Sequence, residues 1–216
     1  MEQNSIYHLI ILDESGSMAS IAKQAISGLN ETLGGIRAAK REQPEHNHFV
    51  SIVSFEGDGV RGVKTIRERI PIEKIEGIAM SEYHPGGCTP LYDAMGLSIN
   101  RLIGAIPEGS IALVTVITDG MENSSEVYSG KVVKDLVSRQ REKGWTFAYI
   151  GANQDAVEVA NELGIHNALN FHATPEGTEE MAEILRDSTV RFSIRPNRQM
   201  LDAMDFFTEK PQWKKR

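Results

Sequence analysis

Apolar residues fall into two kinds of run along this chain. Tyr7 to Leu12, Phe49 to Phe55 and Ile111 to Ile117 are short and densely apolar. They leave no room for a helical repeat, so each predicts a buried strand. The third is β-branched and almost continuously apolar, the mark of a central strand covered on both faces. In the second kind of run apolar positions recur every three or four residues. Met18, Ile21, Ala25, Leu29, Leu33 and Ile36 line one face, with Lys23, Gln24, Glu31 and Arg37 between them, so an amphipathic helix is expected from Met18 to about Lys40. Leu91 to Ile103, Val127 to Lys143, Asp155 to Leu163 and Glu176 to about Phe192 repeat the helical pattern. Val60 to Ile70, Trp145 to Ile150 and Ala168 to Phe171 read as further strands. Gly57-Asp58-Gly59 predicts a turn that pairs the second and third strands as a hairpin, and Gly164 ends a helix.

Strands alternate with helices through most of the chain. This predicts an α/β fold: a doubly wound, mostly parallel sheet with helices on both faces and one antiparallel strand at an edge. Residues 1–194 are read as one domain and 195–216 as a C-terminal extension, which Phe206, Phe207 and Trp213 would dock onto the domain or onto a partner.

The 216 residues suit one sizeable domain, and 40% apolar with 25% charged residues is ordinary for a folded protein with a real core. The net charge of −7 argues against a broad phosphate-binding surface, so no nucleic-acid partner is expected. Lys214-Lys215-Arg216 reads as a solvated end. Cys88 is the only cysteine, which removes intramolecular disulfides and makes a cysteine-based zinc site a poor expectation. The first residues lack the basic start of a secretory signal, and no stretch approaches the roughly 20 apolar residues that span a bilayer. A cytoplasmic protein without membrane partners is expected.

The chemistry concentrates at strand ends. Asp13-Glu14-Ser15-Gly16-Ser17-Met18 follows the first strand, and Thr118-Asp119-Gly120 follows the most central one. In a parallel α/β sheet, ligands bind beyond the carboxyl ends of the strands where strand order reverses, so the two aspartates are expected in one crevice. Carboxylates with hydroxyls are hard ligands suited to magnesium, manganese or calcium. A third segment, Pro85-Gly86-Gly87-Cys88-Thr89-Pro90-Leu91-Tyr92-Asp93-Ala94, places Thr89 at a helix start, where it would either cap the helix or join the other oxygens.

These segments together resemble the metal-ion-dependent adhesion site (MIDAS) of von Willebrand factor type A (vWA) domains, in the form found in prokaryotic and phage proteins. The resemblance covers Ser5 to about Phe171 and implies a Rossmann-like vWA fold. It implies that Ser15, Ser17 and Thr89 give hydroxyl ligands to a divalent cation, magnesium first with manganese or calcium as alternatives. Asp13 and Asp119 would serve directly or through water. One position would be left for an Asp or Glu of a partner protein. The activity implied is metal-dependent protein binding, without catalysis.

Two other functions are compatible with parts of this pattern. A magnesium-dependent phosphoester hydrolase shares the metal, but no Ser/His/Asp order, P-loop or nucleophile elbow accompanies it. A structural subunit of an ATPase-linked or stress-resistance complex would need no occupied site. Partner and oligomeric state are not legible. Glu14 is read as exposed or charge-tuning, Cys88 as structural or incidental, and His84 as a solvated loop residue. His46 and His48 lack a third ligand for zinc. Asp93 either faces the site or favours the first turn of its helix, and Gly151-Ala152-Asn153 reads as a turn.

Overall fold

The computed structural model describes residues 5–152, 156–172, 174–194, 206 and 207. Six strands form one sheet in the order β3-β2-β1-β4-β5-β6. They are β1 (Ser5–Asp13), β2 (Asn47–Phe55), β3 (Val63–Pro71), β4 (Ile111–Thr118), β5 (Thr146–Ala152) and β6 (Asn167–Phe171). Every neighbouring pair is parallel except β2–β3, so the antiparallel strand lies at the edge, as the hairpin reading required. The strand order reverses between β1 and β4. Their register pairs Leu12 with Ile117, which leaves Asp13 level with Thr118 at the carboxyl end.

Alternation along the strands sorts the core into two halves. Ile10 and Leu12 of β1 face one side, packed with Leu29, Leu33 and Ile36 of α1 (Ala22–Glu42) and with Met181 and Leu185 of α5 (Pro175–Ser193). Leu9 and Ile11 face the other, against α2 (Leu91–Ala105), α3 (Gly130–Glu142) and α4 (Ala156–Glu162). Leu29, Leu33 and Ile36 are fully buried, and each such side chain contributes about 1.5–3 kcal/mol. The helices α1 and α5 meet closely: a Cβ on Gly35 would lie 2.8 Å from the Arg186 carbonyl oxygen and 3.1 Å from Thr189 Cβ.

Some boundaries differ from the periodic reading. A 3-10 turn over Gly16–Ile21 precedes α1, so the apolar face opens before the α-helix does. Another 3-10 turn, Gly59–Gly62, takes up the start of the expected third strand. Ser129 caps α3 through Val132 N–H, and the helix begins at Gly130 rather than Val127. In the C-terminal part, Phe206 and Phe207 are buried, and the Phe206 N–H donates to Asn167 Oδ1 at 2.8 Å. These two residues therefore dock onto the domain. Asn153, Asp155, Trp213 and Lys214-Lys215-Arg216 lie outside the described residues. No helix among the described residues is long and apolar enough to cross a membrane.

Candidate metal centre

Strand β1 carries Asp13 to the switch point and buries it completely. Its Oδ1 accepts the Ser15 N–H at 2.8 Å, and its Oδ2 accepts the Thr118 hydroxyl of the neighbouring strand at 2.6 Å. The Tyr83 hydroxyl donates to its main-chain carbonyl. Burial pushes the Asp13 carboxyl up to about 6, against the hydrogen bonds from Thr118 and Ser15 and with help from the Asp119 charge. The following 3-10 turn has Ser15 at its cap position, yet the Ser15 side chain makes no capping bond. That hydroxyl lies 3.3 Å from Ser17 Oγ, and Ser17 in turn donates to Asp119 Oδ1 at 2.7 Å. Burial also raises Asp119, opposed by the Ser17 bond.

Thr89 arrives from the opposite side. Helix α2 starts at Leu91 with Pro90 at its cap, so Thr89 does not cap it and Pro90 is not its first residue. Instead Asn123 brackets the Thr89 backbone: Thr89 N–H donates to Asn123 Oδ1 at 2.8 Å, and Asn123 N–H donates to the Thr89 carbonyl at 3.1 Å. Two carboxylates extend this clamp. Glu122 accepts from Tyr92 N–H, Ser124 N–H, Ser125 N–H and the Ser125 hydroxyl, all between 2.7 and 2.9 Å. Asp93, completely buried, accepts from the N–H groups of Glu126, Val127 and Tyr128, at 2.6 Å in the shortest case. Asp93 stands in the first turn of α2, one of the two places expected for it, and there its carboxylate ties the β4–α3 loop to the helix.

The three segments converge on Gly120. A methyl group placed there would lie 3.1 Å from Thr89 Oγ1, 3.5 Å from Asp13 Oδ2 and 3.5 Å from Ser17 Oγ. Asp119 and Ser15 are each one hydrogen-bond step from Ser17. All five expected residues therefore stand together, with two carboxylates and three hydroxyls. The donor set is hard oxygen throughout and fits a magnesium-class cation. Among the described residues no group of three or more His, Cys, Asp and Glu is placed to hold a metal.

Glu14 departs from expectation. It is buried, accepts the His84 N–H at 2.6 Å, and lies 4.0 Å from Lys64 Nζ. Its main-chain carbonyl takes the Gly86 N–H while Gly16 N–H donates to the Gly87 carbonyl, so the first and third segments are stitched by backbone. The Cys88 side chain is exposed next to Thr89, and His84 is exposed too. Far below, at the other end of the sheet, His8 joins the histidines at 46 and 48. Sequence reasoning missed Thr118, Asn123, Glu122, Tyr83 and His8. Only the polar cluster Asn123-Ser124-Ser125 after Gly120 hinted at a structured loop.

No family model matches the chain, and no curated protein matches it. Solved structures do. A von Willebrand factor type A protein from Catenulispora acidiphila superposes with a TM-score of 0.57 at 15% identity, over 87% of this chain and 42% of the other. The pilus adhesin SpaC from Lactobacillus rhamnosus GG gives 0.62 at 12% identity, over 89% and 31%. The vWF domain of a type V pilus tip protein from Porphyromonas gingivalis gives 0.55 at 8% identity, over 91% and 98%. The chain thus spans less than half of the first two proteins and nearly all of the third. The fold is that of von Willebrand factor type A domains.

Proposed function

On that fold, we propose that the chain is a divalent-cation-dependent protein-binding module. The observation that carries this reading is the convergence of Thr89 Oγ1, Asp13 Oδ2 and Ser17 Oγ on one point beside Gly120. Asp13, Ser15, Ser17, Thr89 and Asp119 would hold the ion, magnesium by first choice with manganese or calcium as alternatives. When bound, the ion supplies a Lewis-acidic position for an Asp or Glu of the partner protein. The chain's own groups do the rest. Two carboxylates offset the ion's charge only in part once hydrogen bonds from Ser15, Thr118 and Ser17 have drawn on them. Neutral hydroxyls fill other positions without adding negative charge. Binding without catalysis is consistent with neighbours that include a pilus adhesin and a pilus tip protein.

The test is a magnesium or manganese titration followed by thermal denaturation, in the wild type and in Asp13→Ala. At 100 times its dissociation constant the ion stabilises by about 2.7 kcal/mol, which for a domain of this size raises Tm by about 5–10 °C. Asp13→Ala should abolish the rise. An unchanged wild-type Tm at millimolar metal overturns the proposal. Metal-dependent phosphoester turnover lost in Asp119→Ala would move the reading to a hydrolase. Partner capture that survives both EDTA and Asp13→Ala would move it to a structural subunit.

A further inference from the structure

The second concentration of buried polar chemistry lies at the amino end of the sheet, away from the metal centre. His8 on β1 pairs in register with Val50 and His48 on β2 pairs with Ile6, so the two histidines are diagonal neighbours two positions apart, and both are nearly inaccessible. His8 Nε2 and His48 Nδ1 are 3.1 Å apart and share one hydrogen bond, with the rings stacked at 5.4 Å. The outward nitrogens, His8 Nδ1 and His48 Nε2, are buried and have no partner among the described residues.

The proton count is decisive. Two neutral imidazoles bring two N–H groups and two lone pairs. One of each is used in the shared bond, which leaves one N–H and one lone pair facing protein without a partner. A third proton would turn that lone pair into a second unsatisfied donor and add a positive charge to a dry site. Among the described residues no carboxylate is hydrogen-bonded to the pair. The charged and titratable groups facing it are His46 just before β2, Lys40 on α1 and Glu73 in the 3-10 turn after β3. Lys40 is a cation, and Glu73 is more than half exposed and paired with it at 3.4 Å. From α5 the pair meets the Phe192 ring edge-on to His8 at 6.2 Å, and His46 Nδ1 lies 3.4 Å from the Ser193 carbonyl. Phe206 stacks edge-on against Phe192 at 6.4 Å and completes the cover.

We propose that His8 and His48 form an acid-operated latch that holds down the last turn of α5 and the docked Phe206-Phe207 segment. Protonation has to be accommodated by letting water in. The strands beneath cannot yield, because β1 and β2 are hydrogen-bonded along their whole length to each other. The cover can, because among the described residues it is the last turn of α5 together with a Phe206-Phe207 segment whose backbone is tied by the Phe206 N–H bond to Asn167. Burial above all holds both histidines below the ordinary range, with the neighbouring imidazoles and Lys40 adding to it, and sets His48 at about 4. A histidine lowered from 6.5 to about 4 favours the open form by roughly tenfold to thirtyfold between about pH 7.5 and about pH 5.

Hydrogen exchange by mass spectrometry on the full chain tests this, at those two pH values with intrinsic rates corrected. The expected result is a roughly tenfold or greater loss of protection in the last turn of α5 and around Phe206 at the lower pH, with β4 unchanged. The paired substitution His8→Leu with His48→Leu, which fills similar space and cannot take a proton, should keep that protection at both pH values. Equal losses in wild type and double variant overturn the proposal, and so does a simultaneous loss in β4, which would mean global unfolding. Should the double variant not fold, an NMR titration of the wild-type imidazoles decides. Both titrating below about pH 5.5 supports the latch, and either one titrating at or above the ordinary value of about 6.5 overturns it.

Discussion

Asp93→Ala removes the acceptor that three consecutive N–H groups share. Its carboxylate is completely buried and meets Glu126, Val127 and Tyr128 at 2.7, 3.0 and 2.6 Å. Hydrogen bonds to a charged group contribute about 1.5–3 kcal/mol each, so three intact bonds set a ceiling near 4–9 kcal/mol. The loss is smaller than that ceiling. The Glu126 and Val127 side chains are exposed, and their N–H groups can turn toward water once the carboxylate has gone. Tyr128 is less free, because its ring packs against Gly96, where even a methyl group would sit 2.3 Å from it. Counting one bond in full and the other two in part gives about 3 kcal/mol, or a Tm lower by about 6–12 °C. The same change should weaken magnesium binding, because Asn123, which clamps Thr89, belongs to the loop that Asp93 secures. Urea denaturation and a magnesium titration on one sample read both effects. A folded variant destabilised by less than about 0.5 kcal/mol would refute the view that this carboxylate organises the loop. Normal stability loss with wild-type metal affinity would refute the mechanical link between Asp93 and Thr89.

Neighbouring glycines of α1 should respond oppositely. Gly35→Ala forces a methyl against the Arg186 main-chain oxygen and costs about 1–3 kcal/mol, whereas Gly34→Ala, whose nearest neighbour is the end of the Glu31 side chain at 3.8 Å, gains up to about 1 kcal/mol from helix propensity; chemical denaturation of the two variants checks the sign. Asp13→Asn should stabilise the metal-free protein at neutral pH. The folded carboxyl titrates at about 6 against an ordinary 3.8, so the stability that goes with its protonated form is complete below about pH 3.8 and is lost as pH rises through about 6. An uncharged Asn escapes that loss, worth about 1–3 kcal/mol above pH 6 in EDTA, and denaturation curves in EDTA at pH 5 and pH 8 would show the difference growing with pH. Tyr83→Phe removes the hydroxyl bonded to the Asp13 carbonyl and should cost about 1 kcal/mol, with metal affinity lowered by less than Asp13→Ala lowers it.

Local pattern carried the sheet and most helices. The run Ile111 to Ile117 could be only a central strand, and the three- and four-residue spacing of Met18 to Ile36 could serve only a helix with one buried face. The five candidate site residues could be proposed from sequence because each lies at or close to the end of such an element, where chain direction sets position. Their support was not. Asp93 meets N–H groups some thirty residues away, and nothing in the short-range pattern tells an aspartate in a first helical turn from one that anchors a distant loop. Glu14 looked exposed because charged residues usually are, yet a backbone N–H from His84 and the nearby Lys64 make its burial tolerable. His8 was hidden in an apolar run whose alternation put it on the same face as Ile10 and Leu12, and only the β1–β2 pairing brings it beside His48.

Cys88 has a practical consequence. It is the single cysteine of the sequence, it is exposed, and it directly precedes Thr89. Its carbonyl is held by the Gly57 N–H, so its backbone is fixed while its thiol is free to react. The unaltered protein therefore offers one address for a thiol-specific fluorophore or spin label, one residue from the candidate metal centre. A label there would test the proposed ion uptake and partner binding as changes in its own signal, with no engineered residue in the way.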